Sequence, residues 1–251
     1  MPRPFVVLTA LQDETDAIMA LVQPSRAKMI QPSAFGVCRR VFVLRGGRRR
    51  SGIVAQFGGT GRMYSAVATM QAIRVWSPAV LFLVGTAGGF RNRGIALGDV
   101  VIATDILDYE AQRIGLGAPI ARGATFKPNA ALLEIAKSAR ERFARPESVH
   151  FGPILSGDKV IASEIAVQRL QEHHQRAIGV EMEGAGVAFS VSQMMTTIPF
   201  LMVRGVADHA DEKKSEDCRI WSRVACDAAA RFSIDVLESW AIHASNASEQ
   251  S

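Results

Sequence analysis

The residues best suited to chemistry lie in the stretch Ala177-Ile178-Gly179-Val180-Glu181-Met182-Glu183-Gly184-Ala185-Gly186. A short apolar run ends in two carboxylates two residues apart, and small residues follow. Residues two apart in a strand share a face, so Glu181 and Glu183 would point the same way. If a helix begins near Gly184, Glu183 sits at its N-terminus, where negative charge is favoured. The small residues after it would let that helix pack closely on a sheet. An acid at the carboxyl end of a buried strand stands where open α/β sheets bind ligands. A helix-capping Glu with a solvated neighbour is the other reading of the same spacing.

Two further acids have a similar setting. Glu14 follows the apolar run 5–10, and Asp208 follows the apolar run 199–206. Three carboxylates converging on one pocket suit cleavage through a cationic sugar transition state. One would activate the nucleophile, one would protonate the leaving group, and one would stabilise charge on the sugar. The glycines at 58–61 and 85–89 leave room for a ligand close to the backbone. Each acid taken singly also fits a helix start.

The elements that must position these acids follow from periodicity. Continuous apolar runs at 5–10, 79–84 and 199–206 read as buried strands. Shorter strands are predicted at 99–103 and 150–155, and on either side of an arginine-rich turn at 45–50. Helical spacing appears after Asp13, with Asp13 or Thr9 as its cap, and after Gly61, with Met63, Ala66, Met70 and Ile73 as its apolar stripe. Further helices are predicted over 130–143, 162–170 and 184–192, and a long closing helix carries Trp221, Ala225, Ala228, Phe232, Val236 and Trp240. Residues 105–128, with Tyr109 and Pro119, read as irregular, and the polar tail 245–251 reads as frayed. No repeat or composition break divides residues 1–251, so one α/β domain is expected: a mixed central β-sheet flanked by helices.

Composition narrows the function classes. The apolar runs are too short to span a bilayer, and residues 1–8 lack a signal-peptide layout, so a cytoplasmic protein without membrane contact is expected. The three cysteines, Cys38, Cys218 and Cys226, are widely spaced and suggest neither a disulfide framework nor a metal cluster. His173 and His174 lack further ligands at metal spacing and read as surface residues. The net charge of +5 is modest, and no aromatic residues interleave the arginine turn, so nucleic acid is not the expected partner. A solvated turn and a phosphate-binding turn are both readings of residues 45–50.

Six blocks in order carry a resemblance: Leu8 to Glu14, Gly59-Thr60-Gly61, Gly85-Thr86-Ala87-Gly88-Gly89 with Leu97 to Val101, Ser156-Gly157-Asp158, Val180-Glu181-Met182-Glu183, and Arg204-Gly205-Val206-Ala207-Asp208. The chain resembles the nucleoside phosphorylase and methylthioadenosine/S-adenosylhomocysteine nucleosidase superfamily over most of its length. The resemblance implies a sheet partly closed into a barrel, no cofactor, no metal, and a homo-oligomer, a dimer first of all. It implies that Glu14 activates the attacking water and that Asp208 protonates or hydrogen-bonds purine N7. Met182 and Glu183 would hold the ribose beside Glu181. Thr86 and Gly88 would line the sugar and base pocket, and Val160 and Ile161 would contact the base.

Three departures stand out. Val160 occupies the place of an aromatic that stacks on the purine. Ala207 replaces a serine that often precedes the catalytic aspartate, so one partner for Asp208 is absent. Residues 212–221 do not follow the nucleosidase pattern. The acidic segment 9–15 carries no arginine and repels phosphate, which favours water as nucleophile. The expected activity is hydrolysis of the N-glycosidic bond of a purine nucleoside or 5′-thionucleoside. Phosphorolysis, kept open by Arg62 and the arginine turn, and a non-catalytic nucleoside- or nucleotide-sensing module are the alternatives.

Overall fold

The computed structural model describes residues 3–26, 29–45, 48–116, 120–143, 146–195 and 197–249. The chain runs β1 (Phe5–Thr9), α1 (Gln12–Met19), β2 (Gln23–Pro24), β3 (Phe35–Arg45), β4 (Arg48–Phe57), α2 (Arg62–Trp76), β5 (Val80–Gly89) and β6 (Val100–Asp108). It continues through β7 (Gln112–Arg113), β8 (Ile120–Ala121), β9 (Thr125–Phe126), α3 (Ala130–Arg140), β10 (Val149–Ser156), α4 (Glu164–His173), β11 (Gly179–Glu181), α5 (Gly184–Ser192), β12 (Phe200–Asp208) and α6 (Lys214–Glu249).

The sheet has the order β11-β10-β6-β12-β5-β1-β4-β3-β2. β1 is parallel to β4 on one side and to β5 on the other, and all five of its residues are buried. Both faces are covered, which is why its sequence is continuously apolar rather than alternating. β12 is parallel to β5 and antiparallel to β6, so the sheet is mixed.

The barrel arises because β11, already paired with β10, also pairs with β5 through Gly179↔Gly89 and Val180↔Gly88. Strands β5, β12, β6, β10 and β11 thus close a ring, while β1, β4 and β3 continue outward as open sheet. The closing contact is tight: a Cβ on Gly179 would lie 2.8 Å from the Gly88 carbonyl oxygen. Alternate residues of β5 face opposite cores. Phe82 and Val84 meet Ile18 of α1 with Phe232 and Val236 of α6. Leu81 and Leu83 meet Ala68 and Ala72 of α2 with Ala185 and Ala188 of α5.

Several expectations are corrected. Residues 105–128 are not simply irregular. β6 runs on to Asp108 and pairs with β9, and β7 pairs with β8; Pro119 lies outside the described residues. The buried face of α2 is Ser65, Ala68, Thr69, Ala72 and Ile73, whereas Met63 is exposed. Small side chains win that face because α5 comes so close. A Cβ on Gly186 would lie 2.2 Å from the Arg62 carbonyl oxygen. The close packing expected of α5 is therefore made on α2 as well as on the sheet, where Gly184 abuts Met202 of β12. Neither Asp13 nor Thr9 caps α1. Thr9 Oγ1 pairs with Thr15 Oγ1, and Glu14 reaches back to the free N–H groups instead.

β3 and β4 form the expected antiparallel pair around the arginine turn, whose Gly46 and Gly47 lie outside the described residues. Arg49 stacks on the Phe42 ring, and Arg50 Nη2 donates to the Ala241 carbonyl. α6 starts seven residues before Trp221 and continues to Glu249. The expected frayed tail is helical there, and residues 250–251 lie outside the described residues. Among the described residues no helix is long and apolar enough to cross a membrane.

Candidate active site

At the carboxyl ends of β1, β5 and β12 lies a cavity of about 400 Å³, within the range of small-molecule sites. Its wall includes Glu14, Thr86, Gly88, Val160, Ile161, Glu181, Met182, Glu183 and Asp208. Every site residue expected from the sequence therefore reaches one space.

Glu14 is buried in the first turn of α1. Its Oε2 accepts from the Ala10 and Leu11 N–H groups at 2.8 and 3.0 Å. Its Oε1 accepts from the Thr86 N–H at 2.8 Å and from Thr86 Oγ1 at 3.2 Å. Two donors from the turn after β1 and two from Thr86 of β5 thus fix the carboxylate at the strand ends. Gly85 is required beside it, because a Cβ there would lie 2.5 Å from Glu14 Oε1 and 2.3 Å from Arg204 Nη1.

Glu181 ends β11, and Glu183 stands at the N-cap position of α5 without a capping side-chain bond. Glu181 Oε2 accepts from the Glu183 and Gly184 N–H groups at 3.0 and 2.9 Å, so it satisfies the N-terminus of α5. Glu183 Oε1 accepts from the Gly61 N–H at 3.0 Å. The glycine loop before α2, expected to leave room for a ligand, holds this carboxylate. Both acids do turn the same way, toward Arg204 of β12, whose Nη2 donates to Glu181 Oε2 and, at 3.1 Å, to Glu183 Oε2. Burial pushes the Glu183 carboxyl up to about 7, against the pull of Arg204 and with a further push from Glu181.

Asp208 ends β12 and is buried. Its Oδ1 accepts from the Ala210 N–H at 2.7 Å, and its Oδ2 lies 2.6 Å from Lys214 Nζ and 3.4 Å from Cys218 Sγ. Burial and the neighbouring Asp208 raise the Cys218 thiol to about 11, so it stays a protonated donor at neutral pH. Lys214, Cys218 and Ser222 of α6 all join the cavity wall.

Sequence reasoning missed Arg204, Lys214, Cys218 and Ser222 as site residues. Arg204 had a signal: an arginine inside an apolar strand needs buried acids as partners. Lys214 and Cys218 lie in the segment that departs from the nucleosidase pattern, where no motif pointed to them. Val160 is at the rim and 66% exposed, while Ile161 is buried. Among the described residues the cavity wall carries no aromatic side chain.

Arg62 is committed elsewhere. Its Nε and Nη2 donate to Asp158 Oδ2 at 2.9 and 2.8 Å, and its Nη1 donates to Asp108 Oδ1 at 2.7 Å. Asp158 also accepts the Arg62 N–H, so the Ser156-Gly157-Asp158 block anchors the loop that reaches Glu183. Ser156 Oγ accepts the Ala185 N–H within the same frame.

A mixed, partly closed sheet with acids gathered at its strand ends defines a class, and the sequence match agrees with it. The family model of the phosphorylase superfamily matches residues 4–238, and the chain belongs to that superfamily. Among individual relatives, it is 26% identical over 208 residues to the 5′-methylthioadenosine/S-adenosylhomocysteine nucleosidase of Shewanella sediminis, covering 80% of this chain and 88% of that protein. The solved structure of the nucleosidase of that name from Neisseria meningitidis, in complex with methylthio-immucillin-A, superposes with a TM-score of 0.78 at 26% identity, over 95% of this chain and all of the other. Futalosine hydrolase of Helicobacter pylori shares the fold, with a TM-score of 0.78 at 20% identity, over 94% of this chain and 97% of the other.

Proposed function

We propose that the protein hydrolyses the N-glycosidic bond of a purine nucleoside or 5′-thionucleoside, releasing free base and ribose. The observation that carries this reading is the placement of Glu14, Glu183 and Asp208 around one cavity. Glu14 takes a proton from water, whose oxygen attacks the anomeric carbon. The bond from that carbon to the purine nitrogen breaks, its electron pair passes to the base, and Asp208 gives a proton to N7 as the base leaves, regaining one from solvent. Glu183 binds the ribose hydroxyls and faces the positive charge that develops on the sugar. Met182 packs against the ribose, Thr86 and Gly88 line the sugar and base pocket, and Val160 and Ile161 flank the base.

Water is favoured over phosphate by the charges present. The acidic start of α1 adjoins the nucleophile position, and Arg62 is bound by Asp108 and Asp158. The two lysines on the cavity wall are each paired, Lys159 with Glu110 and Lys214 with Asp208. The names of the relatives point to the same bond. Incubation of the purified protein with methylthioadenosine, adenosine and inosine, with and without phosphate, tests the reading. Base release at equal rate without phosphate supports it. Release only with phosphate makes the protein a phosphorylase, and no release from a broad panel removes the enzymatic reading.

We further propose a single domain that works as a homodimer in the cytoplasm. Met63, Tyr64 and Val67 of α2 and Phe189 of α5 are exposed apolar side chains on two helices packed against each other. The three cysteines are free, which suits a reducing compartment. Light scattering of the purified protein tests the dimer.

A further inference from the structure

We propose that Lys214 is the positioning residue for Asp208, taking the part of the hydroxyl that is missing at Ala207. The inference rests on the hydrolase reading above. It joins two departures seen in the sequence: the loss of a polar partner at 207, and the unfamiliar segment 212–221 that supplies a new one.

The geometry is specific. Lys214 is the first residue of α6, where the helix dipole disfavours a cation. Its Nζ nevertheless turns back to Asp208 Oδ2 at 2.6 Å, and both side chains line the cavity. The connecting turn is built to make this reach. Ala210 adopts φ = +57°, a left-handed conformation that disfavours a side chain. Its N–H holds Asp208 Oδ1 at 2.7 Å, and its carbonyl accepts the Ser163 N–H at 2.9 Å. The Asp211 carbonyl then accepts the Lys214 N–H at 3.0 Å, and Asp211 Oδ1 accepts the Lys213 N–H at 2.9 Å. His209 Nδ1 sits 3.0 Å from the Gly89 carbonyl and ties the turn to β5.

Asp208 is thus gripped on one oxygen by backbone and on the other by an ammonium at 2.6 Å, with the Cys218 thiol farther off at 3.4 Å. Ala207, with no hydroxyl, contributes nothing to that grip. A carboxyl aimed at the leaving base loses effectiveness quickly when it can rotate. Lys214 removes that freedom.

The test compares Lys214→Met and Lys214→Arg on a purine nucleoside and on a nitrophenyl riboside, whose leaving group needs no proton. In Lys214→Met, kcat for the purine nucleoside should fall about ten- to hundredfold, at least tenfold more than for the nitrophenyl riboside, with KM changed less than kcat. Lys214→Arg, which keeps a cation beside Asp208, should recover most of the loss. Thermal unfolding of each variant shows that the folded protein is being compared. Equal slowing of both substrates, a purine rate unchanged in Lys214→Met, or no recovery in Lys214→Arg overturns the inference while leaving the hydrolase reading intact. A wild-type protein inert toward both substrates overturns the hydrolase reading, and this inference with it.

Discussion

Arg204 Nη2 lies 3.1 Å from Glu183 Oε2 in a place that solvent does not reach, since the arginine side chain is 0% exposed. Glu181 shares the same nitrogen. One buried cation therefore balances two acids that the proposed chemistry needs near a sugar.

Removing Arg204 should be damaging for a reason separate from catalysis. Arg204→Met would leave Glu181 and Glu183 facing each other without their cation. Breaking a buried pair by removing one partner costs about 3–5 kcal/mol. Urea unfolding of Arg204→Met should show a loss of that size, and Glu181→Gln in the same background should recover part of it by removing one charge. A midpoint equal to that of the wild type would mean that the pair does not hold the site together.

The raised Glu183 carboxyl makes two pH predictions. The group titrates near 4.5 when solvated and at about 7 in the fold. Between those values the folded state holds a proton that the unfolded chain has released, so stability falls as pH rises through this window, by up to about 1.4 kcal/mol per pH unit. Activity should move the other way. The ionised form stabilises a cationic sugar better, so kcat/KM for a nucleoside should rise up to about tenfold per pH unit below 7 and level off above it. Glu183→Gln should flatten both profiles; a wild-type rate profile flat from pH 5.5 to 8 contradicts the assignment.

Glu14 and Asp208 should separate by leaving group. Each of Glu14→Gln and Asp208→Asn should lower turnover of a purine nucleoside by roughly a hundred- to ten-thousandfold. Glu14→Gln should slow a nitrophenyl riboside as much, because water attack is common to both substrates. Asp208→Asn should slow it less. If Asp208→Asn slows the two alike, Asp208 does not act on the leaving base.

Val160 marks where an aromatic is absent. It lies at the cavity rim and is 66% exposed. Val160→Phe should fold normally and tighten purine binding by about 1–3 kcal/mol, the usual worth of stacking a base on an aromatic ring. Calorimetric titration with a purine base measures it; an unchanged or weaker Kd in the folded variant places the base elsewhere.

Local patterns in the sequence were enough for much of the architecture. The apolar runs became β1, β5 and β12, because a strand covered on both faces must be apolar throughout. The helix expected at 184–192 is α5, and the acids after the strands all reach the cavity, because a strand end fixes where the next side chains point. What only the tertiary structure decided is pairing across long stretches of chain. β11 closes on β5, Arg204 meets Glu183, Gly61 donates to Glu183, and Arg62 is claimed by Asp108 and Asp158. Lys214 is close to Asp208 in sequence, yet its reach depends on the left-handed turn at Ala210, which residue type alone disfavours. Periodicity reports which face of an element is buried. It carries no information about which distant charge will fill the space opposite, and that choice sets the electrostatics of this site.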